Sequence, residues 1–108
     1  MKQIAFLGSS LDDFRSFPET ARRQCGFQLD RVQRGLEPLD WKPMVGIGSG
    51  VRELRVRDGA GALRVVYVAI RAEAVYVLHA FQKKTQATAK RDIDLAGARL
   101  GELNRSGS

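Results

Sequence analysis

The fold is decided by three successive stretches, Val51-Arg-Glu-Leu-Arg-Val-Arg57, Ala62-Leu-Arg-Val-Val-Tyr-Val-Ala-Ile70 and Ala74-Val-Tyr-Val-Leu-His-Ala-Phe-Gln82. In each stretch, apolar residues either alternate with polar ones or follow one another without interruption, as in a β-strand. The connections between them, residues 58–61 and 71–73, are short and contain turn-forming or charged residues. Because short connections join antiparallel neighbours, the sequence predicts a three-stranded antiparallel meander.

The segment before the meander predicts a short strand and a helical hairpin. The strand is expected over Lys2–Leu7 and a short helix over Leu11–Phe17. A second helix should begin at Pro18, which suits a first helical turn, and reach about Arg34. Residues 37–50, rich in Pro and Gly, should form a linker. The second helix repeats its apolar residues every three or four positions, at Ala21, Cys25, Leu29, Val32 and Leu36.

The segment after the meander predicts a C-terminal helix. Thr88 is its expected cap, the helix should run to about Leu103, and residues 104–108 should form a frayed tail. One apolar stripe, Ile93, Ala96, Leu100 and Leu103, would cover a face of the sheet. A chain of 108 residues has room for one core. We therefore expect a single α/β (α+β) domain over residues 1–108.

Positive charge is unevenly distributed along the chain. Lys and Arg number 18 against 12 Asp and Glu, which gives a net charge of +6. The excess lies in Val51–Arg71, in Lys83–Arg91 and on the predicted second helix, at Arg22, Arg23, Arg31 and Arg34. Clustered positive charge favours nucleic acid or an acidic protein as partner. No stretch approaches the roughly 18 apolar residues of a membrane helix, so we expect a cytoplasmic protein without membrane contact.

Metal and nucleotide cofactors are not expected. The chain has one Cys, Cys25, and one His, His79, which argues against a zinc site. Cys25 falls on the apolar side of a predicted helix and should be buried. The run Gly46-Ile-Gly-Ser-Gly50 lacks the full phosphate-loop pattern and no helix follows it.

A candidate site surrounds the end of the third stretch, Leu78-His-Ala-Phe-Gln-Lys-Lys-Thr-Gln-Ala-Thr88. A histidine, an aromatic ring, two lysines and two hydroxyls lie together where a strand gives way to a helix. Side chains of the two preceding strands could reach the same concave sheet face. The residues predicted to converge are Arg55, Arg57, Arg64, Tyr67, His79, Phe81, Lys83 and Lys84.

These residue types match metal-free RNA cleavage, in which the ribose 2′-hydroxyl attacks the adjacent phosphate. Arginines bind phosphate oxygens, and a histidine or a lysine of lowered pKa can transfer protons. Aromatic rings can stack on an extruded base. The residues predicted to be catalytic are Arg64, Tyr67, His79, Lys83 and Lys84. Those predicted to bind RNA are Arg55, Arg57 and Phe81.

Structural explanations stay open for several of these residues. Arg64 begins an otherwise apolar strand and could pair with Glu53, which would only fix the sheet. His79 alternates with Val77 and Phe81, so it should point into their layer and could be a satisfied core residue. The adjacent lysines could form a solvated turn.

Three motifs resemble a known protein family: Glu53-Leu-Arg55, Arg64-Val-Val-Tyr67 and Val77-Leu-His-Ala-Phe-Gln-Lys-Lys-Thr85. This family is the phage-derived, HigB-like branch of the RelE/ParE superfamily, whose members are toxins of type II toxin–antitoxin systems. The resemblance spans about Lys2 to Leu103. It implies a RelE/ParE-like fold, in which an N-terminal helical hairpin packs with a largely antiparallel sheet and a C-terminal helix. The chain departs from the family at Ala89, where a proline often follows the threonine.

The resemblance also implies a function. It implies ribosome-dependent cleavage of messenger RNA, which arrests translation, and neutralisation by a helix-turn-helix antitoxin. DNA would be contacted only through the antitoxin complex. Two alternatives remain open from the residues: a non-catalytic ParE-like toxin that inhibits DNA gyrase, and a basic binding domain without toxicity.

Overall fold

The computed structural model describes residues 1–59, 61–83 and 88–106. These residues form five strands and three helices. In chain order they are β1 (Gln3–Phe6), α1 (Ser10–Arg15), α2 (Glu19–Gln33), β2 (Trp41–Pro43), β3 (Val51–Asp58), β4 (Gly61–Val68), β5 (Ala74–Lys83) and α3 (Lys90–Ser106).

The strands form one mostly antiparallel sheet in the order β1-β5-β4-β3-β2. The predicted meander is confirmed, since β3, β4 and β5 are antiparallel neighbours. Only β1 is parallel to its neighbour β5. The predicted α+β class is therefore confirmed, and the architecture is consistent with a RelE-like fold.

Helices cover both faces of the sheet. Val65 and Tyr67 of β4 lie in the core beneath α1 and α2, whereas Val66 and Val68 lie in the core beneath α3. This two-sided burial explains why β4 reads as apolar at nearly every position. Cys25 is buried on the α2 side, as predicted.

A β-bulge interrupts β5 beside β4. Tyr67 lies opposite Val77, but the preceding residue of β4 lies opposite His79, so Leu78 is an extra residue. Val77 packs beneath α2, whereas Leu78 packs beneath α3 and His79 stacks on Phe81. The expectation that His79 shares a layer with both Val77 and Phe81 is therefore wrong for Val77.

The largest differences from the sequence prediction are a missed strand and the two ends of the C-terminal helix. Trp41–Pro43, predicted as part of a linker, pairs with β3 as an edge strand. The C-terminal helix begins at Lys90 rather than directly after Thr88. It also continues to Ser106, so the part of the predicted frayed tail that the structure describes is helical. Within the described ranges, none of the helices combines the length and apolar content needed to cross a bilayer.

Candidate functional site

Several positive side chains lie together on the face of the sheet that packs against α3, past the N-terminal end of that helix. Strand alternation places them there, because Arg55 lies opposite Arg64 and Arg64 opposite Phe81. We define the cationic face as Lys42, Arg55, Arg57, Arg64 and Lys83. Four of these five were predicted from the sequence. Lys42 was missed because it lies in the predicted linker, and its register opposite Glu53 becomes visible only once β2 pairs.

A buried carboxylate organises the cationic face. Glu53 is fully buried, and its Oε1 lies 3.1 Å from Arg64 Nε and 3.9 Å from Lys42 Nζ. Thr88 Oγ1 donates a hydrogen bond of 3.0 Å to Glu53 Oε2. A buried charge is costly unless it is compensated. Glu53 therefore holds β2, β4 and the segment before α3 together. Thr88, which was predicted to cap the C-terminal helix, binds this carboxylate instead.

Arg64 lies beneath the surface. Its side chain is 5% exposed, and Nη1 makes no hydrogen bond to another described residue. Burial lowers the pKa of Arg64, and the charge of Glu53 opposes that effect. These contacts favour the alternative in which the Arg64–Glu53 pair fixes the sheet. Arg64 therefore adds positive electrostatic potential to the cationic face although its side chain is buried beneath that surface.

Lys83, Arg57 and Arg55 are nearer to solvent. Lys83 is half-buried, and burial, followed by the charge of Arg64, lowers the pKa of its amine. Arg57 is exposed. Arg55 donates from Nε and Nη2 to Asp40 Oδ1 over 3.0 and 2.8 Å. Lys84, predicted as catalytic, lies outside the described residues.

Both ring nitrogens of His79 are occupied. Nε2 lies 2.7 Å from Asp92 Oδ1, and Nδ1 lies 3.5 Å from Arg99 Nη1. Asp92 Oδ1 is an acceptor and Arg99 Nη1 a donor, so the two ring nitrogens face groups of opposite hydrogen-bonding character. His79 is 5% exposed and stacks on Phe81 with ring centroids 5.0 Å apart. The contacts therefore favour a satisfied core residue, with Asp92 and Arg99 as partners that the sequence did not reveal.

Arg99 connects this histidine to the start of α1. Arg99 is 7% exposed, and its guanidinium donates to Leu78 O and Ser9 Oγ, both over 2.8 Å. Gly8 leaves room for it, because a Cβ at that position would lie 2.4 Å from Arg99 Nε. The bulge carbonyl is thereby satisfied, and α3 is fixed on the sheet.

Tyr67 does not belong to the cationic face. It lies three positions from Arg64 on β4 and points to the opposite face, where it is fully buried beneath the helical hairpin. The prediction that it converges with the cations is wrong, because residues of one strand that lie an odd number of positions apart face opposite sides of the sheet. Burial raises the pKa of Tyr67, and nearby Arg52 lowers it in part.

Removing the Tyr67 hydroxyl should be tolerated. That hydroxyl is buried and makes no hydrogen bond of good geometry to a described residue. We therefore expect Tyr67→Phe to change the free energy of unfolding by less than about 1 kcal/mol, and to leave activity unaltered. Urea denaturation and an activity assay check this, and a large loss of activity with normal stability would return Tyr67 to the site.

A groove of about 520 Å³ runs beside β5 beyond the end of β1. Phe81 and His79 form part of its wall, and Arg91 and Leu95 of α3 form another part. Phe81 is half-buried, so its ring is partly available to a ligand. The groove adjoins the cationic face through β5, which carries both Phe81 and Lys83.

Among the described residues, the candidate site offers neither a group of metal ligands nor a reactive thiol. Among the described residues, no three His, Cys, Asp or Glu side chains lie close enough together to hold a metal ion. Burial, followed by the charge of Asp58, raises the pKa of Cys25 to about 12. The thiol is therefore protonated and unreactive at neutral pH.

Comparison with known proteins identifies the family. Residues 12–101 match the family model described as phage derived protein Gp49-like (DUF891). No curated protein matches the chain significantly. The matched range runs from α1 into α3 and includes every residue of the cationic face. Since it covers most of the 108 residues, the chain belongs to the Gp49-like family of phage-derived proteins.

Proposed function

We propose that this protein is the toxin of a type II toxin–antitoxin system and cleaves messenger RNA on the ribosome. Membership of a phage-derived family and the sequence resemblance to HigB-like toxins support the proposal. The observation that carries it is the position of Lys83, half-buried at the end of β5 beside the arginines of the cationic face, where burial and the charge of Arg64 lower the pKa of its amine. Such a pairing of a proton acceptor with phosphate-binding cations is what metal-free RNA cleavage requires.

In the proposed reaction Lys83 accepts the proton of the ribose 2′-hydroxyl. The 2′-oxygen bonds to phosphorus, the bond from phosphorus to the 5′-oxygen breaks, and that oxygen takes up a proton. The products are a 2′,3′-cyclic phosphate and a 5′-hydroxyl. Arg55 and Arg57 would bind the phosphate oxygens, and Arg64 would add potential from below. Lys84 remains the candidate proton donor.

Phe81 would stack on a base of the bound RNA. Its ring lies on the groove beside β5 and already stacks on His79. Single-stranded RNA is commonly held by such aromatic contacts. His79 would support the position of Phe81, since its own nitrogens are engaged by Asp92 and Arg99.

The cleavage rate should rise with pH through the pKa of Lys83. Below that pKa the amine is protonated and cannot accept a proton, whereas above it the free base accumulates. Because burial and neighbouring charge lower this pKa, the rise should occur at lower pH than for an ordinary lysine. Single-turnover cleavage from neutral to moderately alkaline pH measures this. A flat profile in that range would show that Lys83 is not the base.

Induced expression with pulse-labelling of protein, RNA and DNA tests the proposal in cells. Protein labelling should fall first with the wild type and should not fall with Lys83→Met. A co-expressed helix-turn-helix antitoxin should restore growth. If DNA labelling falls first, the gyrase alternative replaces the proposal. If no labelling falls, the protein is a binding domain.

A further inference from the structure

A cleft of about 270 Å³ opens on the α2 side of the sheet, at the edge where β4 ends and β3 begins. It lies past the end of α2, because Val32 is the last buried residue of that helix and the chain turns away at Gly35. The cleft has a polar part formed by Lys2, Arg52 and Tyr67, and an apolar part formed by Val32, Leu36, Ala69 and Ile70.

Arg52 is held in place at this cleft. It lies opposite Tyr67 in the pairing of β3 with β4, so both side chains lie on the α2 side of the sheet. The Arg52 guanidinium carbon lies 3.9 Å from the centroid of the Trp41 ring, where cation–π attraction is effective. Arg52 Nη1 also lies 3.6 Å from Glu37 Oε1, but the Glu37 side chain is 64% exposed. Such an exposed pair contributes little, so another carboxylate can take the place of Glu37.

Tyr67 adds a hydroxyl group that has no partner. The residue is fully buried, and its oxygen makes no hydrogen bond to another described residue. Burial raises the pKa of Tyr67 and Arg52 lowers it in part, because the guanidinium lies near the hydroxyl. Buried hydroxyls are normally hydrogen-bonded. An acceptor oxygen bound beside Arg52 would supply the partner that this one lacks.

Lys2 brings a second positive charge to the cleft. Its backbone is fixed to the end of α2, because its amide donates to Gln33 O and its carbonyl accepts from Gln33 Nε2, both over 2.9 Å. Its Nζ donates to Ala69 O. An ammonium group has three donor hydrogens, so two remain for a ligand. Two cations and a phenol that line one cleft favour an anion.

The rest of the cleft suits a short hydrocarbon group. Leu36 and Ile70 are 51% and 71% exposed and form its apolar rim. Ile70 is packed against Gly50, where a Cβ would lie 2.8 Å from Ile70 Cγ2. The volume of the cleft lies just below the roughly 300 Å³ at which most ligand pockets begin. The ligand must therefore be small.

We propose that this cleft binds a small aliphatic carboxylate. The carboxylate would take the place of Glu37 and accept hydrogen bonds from the Arg52 guanidinium, the Lys2 ammonium and the Tyr67 hydroxyl. Its hydrocarbon part would contact Leu36 and Ile70. The cationic face lies on the other side of the sheet, since Arg52 and Arg55 are an odd number of positions apart. Binding therefore does not require that the protein cleaves RNA.

Chemical-shift mapping on the isotope-labelled protein tests this binding with 3-methylbutanoate as the probe. Its uncharged amide, 3-methylbutanamide, tests the charge, and acetate tests the hydrocarbon part, all at one ionic strength. The probe should bind with a Kd on the order of 1 mM and shift the amides of Lys2, Arg52 and Ile70. The amide and acetate should each bind at least about fivefold more weakly.

Variants locate the contact. Arg52→Gln should weaken the binding of 3-methylbutanoate about tenfold, and Tyr67→Phe about fivefold. Glu37→Gln should strengthen it about threefold, because the competing carboxylate is removed. The control Arg23→Gln removes a positive charge from a side chain that is 78% exposed elsewhere on α2, and it should change nothing.

Three results would overturn the proposal. The first is equal binding of the amide and the carboxylate. The second is a set of shifts that lies on the cationic face and spares Arg52. The third is unchanged affinity in both Glu37→Gln and an Arg52→Gln variant that urea denaturation shows to be folded.

Discussion

The Glu53→Ala variant will be destabilised by about 3–5 kcal/mol. The substitution leaves Arg64 buried without its counter-charge and removes the acceptor of the Thr88 hydroxyl. Glu53 is fully buried, so water cannot replace the lost partner without opening the sheet. The free energy of unfolding, measured by urea denaturation, checks this expectation.

Glu37→Ala is the matched control for that variant. The Glu37 carboxylate lies 3.6 Å from Arg52, but its side chain is 64% exposed. We expect a change of no more than about 1 kcal/mol, as for other exposed ion pairs. Replacing Glu53 and Arg64 together by methionine should recover much of the lost stability. A loss below about 1 kcal/mol in Glu53→Ala would contradict the role given to this buried pair.

The Lys83→Met variant will cleave messenger RNA about 100-fold more slowly or worse, because the proposed general base is lost. Methionine keeps an unbranched apolar chain at the position, so the half-buried stem retains its packing. Lys90→Met is the control, since Lys90 is 87% exposed and pairs only with Asp94 among the described residues. Equal rates for wild type and Lys83→Met, with both folded, would remove Lys83 from the reaction.

Strand periodicity accounts for the part of this site that the sequence predicts. A period of two places Arg55 and Arg57 on one face, and short turns bring Arg64 and Lys83 beside them. The same period places Tyr67 on the other face of the sheet from Arg64. The sequence alone was therefore enough to separate Tyr67 from the cationic face.

Other features depend on contacts that no local pattern encodes. The bulge at Leu78 depends on how β5 fits β4, and it moves His79 to the α3 side. The strand around Lys42 is only three residues long and ends at Pro43, so it carries too little periodicity to be recognised. Asp92 meets His79 only after the chain reverses into α3.

The chemistry of the RNA ends tests the proposed cleavage reaction most directly. Purified protein is incubated with ribosomes that carry a defined messenger RNA, and the cut position is mapped by primer extension. The same substrate is then prepared with 2′-deoxyribose at the nucleotide preceding the cut. We expect the proposed reaction to give 5′-hydroxyl and 2′,3′-cyclic phosphate ends with the normal substrate, and no cut in the deoxy substrate. Cleavage of the deoxy substrate, or ends that carry a 5′-phosphate, would contradict it.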